Sequence, residues 1–425
     1  MNTSSRASRA ALLSGALLAA VALSACGTAS SSAGGGAAGG GGGGAASSST
    51  GSTTSGGATS ASASASAASS AASAPTTATS TPPAAAGGPV PRGFAASSVT
   101  FVSPQEAFVL GTAPCAKAPC TSILRTLDRG ASWRGLPAPV VTLGNEAADT
   151  TGPAVWGIRF ANPSDGFVFG NGLWETSDGG ERWSPATSPV GSIRSLEVID
   201  GQVLALTATC TPDNGCGQTE TLVRRPLAGG GWQQVARVTG AGTIATQARV
   251  AAVRDGSRIL ITTNGGLSTV TQAGPCGTAV LPVPAAVAVT GPDGLAVECA
   301  GGAAAGSVQK TVYVSDDLGA HWQKAGSPAN GGDPAGLSAG SASQLVAAAV
   351  SGGSLLYYSG DGGAQWSTAF FAGDGGLGFN DLGFTTPTEG VVVYGPVFSD
   401  NNAEGRPGQL LLTSNGGASW QKVSY

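Results

Sequence analysis

The chain has 425 residues, a formal net charge of −4 and charged side chains at only 10% of positions. So mild an acidic balance supplies no basic field for nucleic acid. The single histidine, His321, gives neither an imidazole ligand set for zinc nor a base for a nucleophilic triad. No metal site, catalytic constellation or cofactor is therefore expected.

In chain order, Met1 to Ala25 reads as an export signal: Arg6 and Arg9 precede an apolar run from Ala10 to Leu23. It ends in Leu23-Ser24-Ala25-Cys26, which resembles the lipobox of bacterial lipoproteins. That resemblance implies that Cys26 is acylated and becomes the first residue of the mature chain. The chain would then be held at the extracytoplasmic face of the cell membrane by lipid, without spanning it. Residues 26–91 follow, Gly, Ser, Ala, Thr and Pro almost throughout, with no Lys, Arg, Asp or Glu. Such a segment cannot bury enough surface to offset its ordering entropy, so a disordered tether is expected. Flexible-chain scaling gives it a reach of roughly 40–50 Å. The glycine clusters at 34–44 belong to this low-complexity tract and are not phosphate cradles.

From 92 to 425 one stretch recurs. The pattern [Ser/Thr]-x-[Asp/Asn]-x-Gly-x-x-Trp is met at Thr126–Trp133, Thr176–Trp183, Ser315–Trp322, Ser359–Trp366 and Thr413–Trp420, with a worn copy at Arg225–Trp232. The carboxylate or amide (Asp128, Asp178, Asp317, Asp361, Asn415) accepts backbone N–H bonds and closes a turn. The tryptophan (Trp133, Trp183, Trp322, Trp366, Trp420) opens the next strand and carries apolar area between sheets. His321 lies inside one of these turns as an exposed spacer. A repeat of roughly 40–50 residues built on a hairpin turn reads as a propeller.

One segment is ambiguous. Thr262-Thr263-Asn264-Gly265-Gly266 also looks like a box, but Asn-Gly is a strong hairpin signal. Even spacing favours reading it as the hairpin between the second and third strands of blade 4, with the box at Val270–Gly277. The tryptophan-equivalent positions are then 133, 183, 232, 277, 322, 366 and 420, at intervals of 50, 49, 45, 45, 44 and 54. Cys276 would stand beside the lost anchor, and a bond from Cys276 to Cys299 would replace it. The expected fold is thus all-β: a seven-bladed β-propeller of four-stranded blades over 92–425, preceded by the tether. Ring closure is left open between packing of the end blades and pairing of residues near Val90–Phe94 with blade 7.

Six cysteines remain after Cys26, and an even count behind an export signal implies disulfides. Fifteen pairings exist; nearness in sequence favours Cys115–Cys120, Cys210–Cys216 and Cys276–Cys299. The longer loops all fall on one face, where a rigid scaffold usually carries binding. Aligning blades by the turn between their first two strands puts Arg159, Arg194 and Arg249 at one level of the innermost strands of blades 2, 3 and 4. Three guanidinium groups there would suit an anion or an acidic partner. The alternative is that each pairs with a local carboxylate.

The box repeats resemble the Asp-box, or BNR, repeat of sialidase-like propellers. Three arginines invite that comparison, but Pro91-Arg92-Gly93-Phe94 does not match the sialidase Phe/Tyr-Arg-Ile-Pro segment, and no carboxylate pair can be placed at glycosidase distance. From Arg92 to Tyr425 the chain resembles more closely the Ycf48-like photosystem II assembly and stability factors and their YVTN-like bacterial relatives, on segments such as Gly390–Tyr394 followed by Ser414-Asn415-Gly416-Gly417. That resemblance implies a non-catalytic scaffold for a protein or glycan partner, here expected as a monomer. A sialidase-like glycoside hydrolase and a structural envelope lipoprotein without a discrete ligand are the alternatives.

Overall fold

The computed structural model describes residues 87–144, 152–211, 215–240, 242–277, 283–304, 306–395 and 408–425. The signal segment, Cys26 and the tether to residue 86 lie outside the described residues. The described chain forms seven sheets, each an antiparallel meander of four strands taken in sequence order. Strands are lettered A to D within each blade. Every strand A packs against the strands A of both neighbouring blades, blade 7 against blade 1 included, so the sheets close a ring. Strands A run Ala95–Phe101, Ala154–Phe160, Ser192–Ile199, Ile244–Gln247, Val283–Val289, Asp333–Ala339 and Phe379–Phe384. Blade 2 gains a short extra strand, Thr142–Leu143, paired in parallel with Ala154 and Val155.

The core is seven layers, one per seam. Strands B such as Ala107–Thr112, Gly166–Gly170 and Gly390–Tyr394 are buried on both sides, which is why they read as unbroken apolar runs. In strand B of blade 5, Leu295–Ala304, residues Leu295, Val297 and Cys299 face blade 4, while Ala296 faces blade 6.

The box turns join strands C and D. In the five full copies the Ser/Thr hydroxyl donates to the Asp or Asn oxygen over 2.8–2.9 Å and accepts from the glycine N–H over 2.8–3.0 Å. The same acidic or amide oxygen takes the N–H four residues on, over 2.8–3.0 Å. Each turn then docks on the A–B turn of its own blade, as in Gly179 N–H to Ser164 O at 2.9 Å. The box turns and A–B turns therefore share one face, and the D–A linkers and B–C loops share the other.

The tryptophans divide into two groups. Trp133, Trp366 and Trp420 donate their indole N–H to the glycine of their own turn. Trp183, Trp232 and Trp322 donate to Pro137, Thr187 and Ala273, in the strand or linker that ends the preceding blade.

Blade 4 corrects the expectation. Asn264–Gly266 joins the third strand, Arg258–Thr263, to the fourth, Ser268–Ala273, so it is the box turn and not the B–C hairpin. Thr262, Asn264 and Gly266 fill the motif, and Thr269 stands where tryptophan would. The turn leans on blade 3: a Cβ on Gly265 would meet Gln202 Cγ at 2.4 Å. Cys276 lies beyond strand D, in the linker to blade 5. Its disulfide to Cys299 is buried in the seam between blades 4 and 5. Cys115 is bonded to Cys120. Cys210 is also disulfide-bonded, and its backbone pairs with Cys216 across a hairpin.

The ring closes by packing. Phe94, Val99, Val391, Val393 and Leu410 form the seam between blades 7 and 1, and Ala96 N–H donates to Gly408 O at 2.9 Å. The C-terminal Tyr425 ring meets Phe94 and Trp133 at 5.2 and 5.6 Å. Among the described residues, the segment before strand A makes no strand pairing with blade 7. It runs along the outer strand of blade 1, where Gly88 and Gly135 exchange both N–H···O bonds at 2.9 Å.

Candidate binding face

Strands A of blades 1, 2, 3, 5 and 6 each carry a bulge, at Ala96/Ser98, Val155/Gly157, Ile193/Ser195, Pro284/Ala286 and Pro334/Gly336. A bulge inserts one residue and shifts everything after it. Counted from the bulge, Arg159 of blade 2 matches Glu197 of blade 3, and Arg194 is the inserted residue itself, matching Trp156. Arg249 lies outside strand A, in the A–B turn of blade 4. The three arginines thus occupy three levels of the ring. Arg249 is on the box-turn face, Arg159 is inside the ring, and Arg194 is toward the loop face.

Arg159 holds four blades. Its Nε reaches Glu197 Oε1 at 2.8 Å, one Nη reaches Asp381 Oδ1 of blade 7 at 2.7 Å, and the other reaches Val99 O of blade 1 at 3.2 Å and its own neighbour Ile158 O at 2.8 Å. Asp381 also accepts Ser98 Oγ at 2.5 Å and Val99 N–H at 2.9 Å. It sits at φ 50°, a left-handed conformation that aspartate tolerates better than most residues, inside the irregular register of strand A. Burial alone would lower the Arg159 pKa; the charges of Asp381 and Glu197 outweigh it and hold the guanidinium protonated. Burial pushes Glu197 up, against the pull of Arg159.

Arg194 Nη1 meets Glu220 Oε1 at 2.7 Å, and Arg249 Nε meets Asp200 Oδ1 of blade 3 at 2.9 Å. Arg249 remains 72% exposed, against 23% for Arg194. His321 is exposed, with Nδ1 2.6 Å from Asp317 Oδ2. Among the described residues no group of three or more His, Cys, Asp or Glu is placed to hold a metal ion.

Residues that the sequence did not single out secure the linkers on the loop face. By register, Thr121, Glu220, Lys310 and Ser354 occupy the same place in strands C of blades 1, 3, 5 and 6. Each grips the chain entering the next blade. Thr121 Oγ1 donates to Val141 O at 2.5 Å, and Glu220 accepts Gly242 N–H at 3.1 Å. Lys310 Nζ donates to Gly331 O and Gly332 O at 3.1 and 2.8 Å, and Ser354 Oγ accepts Gly378 N–H at 3.0 Å. In blade 4 Arg254 does the equivalent, donating to Pro284 O at 2.5 Å. The signal was present in the sequence as a polar or charged residue heading an apolar strand.

On the same face Val140 and Val190 stand 88% and 92% exposed. They occupy matching places, each after a proline, in the linkers entering blades 2 and 3.

The fold defines the class: a seven-bladed, all-β propeller with box turns on one face and linkers on the other. No family model matches the chain, and no curated protein matches it. Solved structures are similar, two Ycf48 structures among them. Ycf48 bound to a D1 peptide is 15% identical, with a TM-score of 0.49 over 76% of this chain and 93% of that one. Ycf48 from Cyanidioschyzon merolae is 15% identical, with a TM-score of 0.49 over 77% of this chain and 97% of that one.

Proposed function

We propose that this chain is a lipid-tethered, extracytoplasmic propeller that acts as a non-catalytic scaffold and holds a protein partner on its loop face. The observation that carries the reading is the pair of valines at matching places in the loop-face linkers, Val140 and Val190, which are more exposed (88% and 92%) than the box-turn leucines Leu127 and Leu267 (44% and 62%). The box-turn face spends its hydroxyls and carboxylates on its own backbone. The loop face carries the linkers and B–C loops, presents Val140 and Val190 to solvent and has Arg194 beneath it. Exposed apolar side chains beside a partly buried charge suit a protein surface. All three arginines hold ion pairs within the ring; Arg194, paired with Glu220 and toward the loop face, is the one this reading assigns to the partner's side.

The test is a pull-down from detergent-solubilised membranes with the full-length chain, a Val140→Asp/Val190→Asp variant, Arg194→Ala, and Arg249→Ala on the opposite face. The reading expects the partner with wild type and Arg249→Ala, and its loss with the loop-face variants. Loss only with Arg249→Ala would reverse the assignment of faces.

A further inference from the structure

Strand B of blade 5 is apolar except for Glu298. By register Glu298 takes the place of Leu110 in blade 1 and Leu206 in blade 3, opposite Ala286 of strand A and Val312 of strand C. It faces the seam with blade 6, is 0% exposed, and neither carboxyl oxygen has a hydrogen-bond partner among the described residues. Lys310 lies on the same side of the adjoining strand, two residues from Val312, and is 1% exposed. Its ammonium is committed elsewhere, donating to Val308 O at 3.1 Å as well as to Gly331 O and Gly332 O. Tyr357 of blade 6 completes the cluster. Its hydroxyl donates to Gly331 O at 3.0 Å, and its ring lies 5.9 Å from Lys310 Nζ. The remaining charge acting on Lys310 is Asp333, the first residue of strand A in blade 6.

An acid with no protein partner, fully buried in an apolar seam, is stable only when neutral. A lysine beside it that ignores it in favour of three carbonyls is consistent with that neutral state. We infer that Glu298 and Lys310 form a proton-controlled latch: with Glu298 protonated, Lys310 clamps the linker entering blade 6, and when Glu298 gives its proton to solvent, the carboxylate draws the ammonium away and frees that linker.

The direction of the pH effect follows from burial. Burial pushes the Glu298 carboxyl up to about 8 from an ordinary 4.5, against the opposing charge of Lys310. Burial also lowers Lys310 and raises Tyr357. Between pH 4.5 and about 8 the folded chain holds a proton that the unfolded chain has lost. The folding equilibrium therefore weakens by up to about tenfold per pH unit across that window, and by no more above it.

The experiment compares the full chain with Glu298→Gln and with Glu298→Leu, the residue that blades 1 and 3 use here. Stability to urea is measured from pH 5 to 9, and hydrogen exchange of the Gly332 amide, which donates to Gly306 O at 3.2 Å, is corrected for its intrinsic pH dependence. In wild type, relative to either variant, stability should fall as pH rises. Gly332 protection should drop by about tenfold or more between pH 6 and 9 in wild type alone. Parallel pH profiles in all three proteins would overturn the latch. So would a Glu298-dependent stability slope with Gly332 protection unchanged, since that describes a buried acid without a moving lysine. Glu298→Leu keeps the test decisive if the amide variant does not fold.

Discussion

Arg159 and Asp381 are 222 residues apart in sequence and 2.7 Å apart in the ring. Through them the second blade grips the seventh across the first, at the seam between blades 7 and 1. Removing the guanidinium in Arg159→Ala leaves Asp381 and Glu197 buried without their cation. We expect a loss of about 3–5 kcal/mol in denaturant unfolding, because an uncompensated buried charge costs more than the pair contributes. Arg249→Ala removes an exposed pair and should cost at most about 1 kcal/mol.

The two tryptophan groups predict different local effects. Trp183→Phe removes a bond to Pro137 O in the preceding linker, whereas Trp366→Phe removes one within its own turn. Each should cost about 1 kcal/mol. Exchange of linker amides over residues 137–144 should quicken in Trp183→Phe and stay unchanged in Trp366→Phe.

Asp317 accepts the His321 N–H at 2.9 Å and meets its ring nitrogen at 2.6 Å, and these bonds hold its carboxyl down to about 2 from an ordinary 3.8. A depressed carboxylate contributes to stability above its unfolded pKa, and that contribution is lost as pH falls through the folded value. A carboxyl-carbon NMR titration should give a midpoint near 2, rising only part of the way toward 3.8 in His321→Ala, which removes the ring but keeps the backbone N–H.

The disulfide between Cys276 and Cys299 closes a loop of 23 residues between a linker and a core strand. Replacing both cysteines by alanine should destabilise the ring by about 3 kcal/mol on loop-closure grounds. The exposed Cys115–Cys120 bond spans 5 residues and should matter much less to unfolding.

The blade count and most strands were legible because the box is a local device: a hydroxyl, a carboxylate, a glycine and a tryptophan within eight residues. Blade 4 was misread where one of those parts was missing. Thr262, Asn264 and Gly266 kept the turn, but Thr269 replaced the tryptophan, and even spacing outweighed turn chemistry although this blade is shorter. The arginine level was misjudged for a similar reason. The A–B turns differ in length, strand B resuming at Gly166 after Phe160 in blade 2 but at Gln202 after Ile199 in blade 3, so aligning turns did not align side chains, and Arg249 fell into the turn itself. Asp381 and Glu197 were invisible as partners of Arg159 because their meeting depends on closure of the whole ring. Lys310 and Glu298 carried a sequence signal, a charge breaking an apolar strand, whose meaning comes only from the seam between blades.

The central claim is that the partner is held on the loop face. Site-specific photocrosslinking in intact cells tests it most directly, with the photoreactive residue placed at Val190 on the loop face or at Arg182 on the box-turn face, where the side chains are 92% and 90% exposed. The account predicts a discrete protein adduct from position 190 and none from position 182. An adduct from position 182 alone would contradict it.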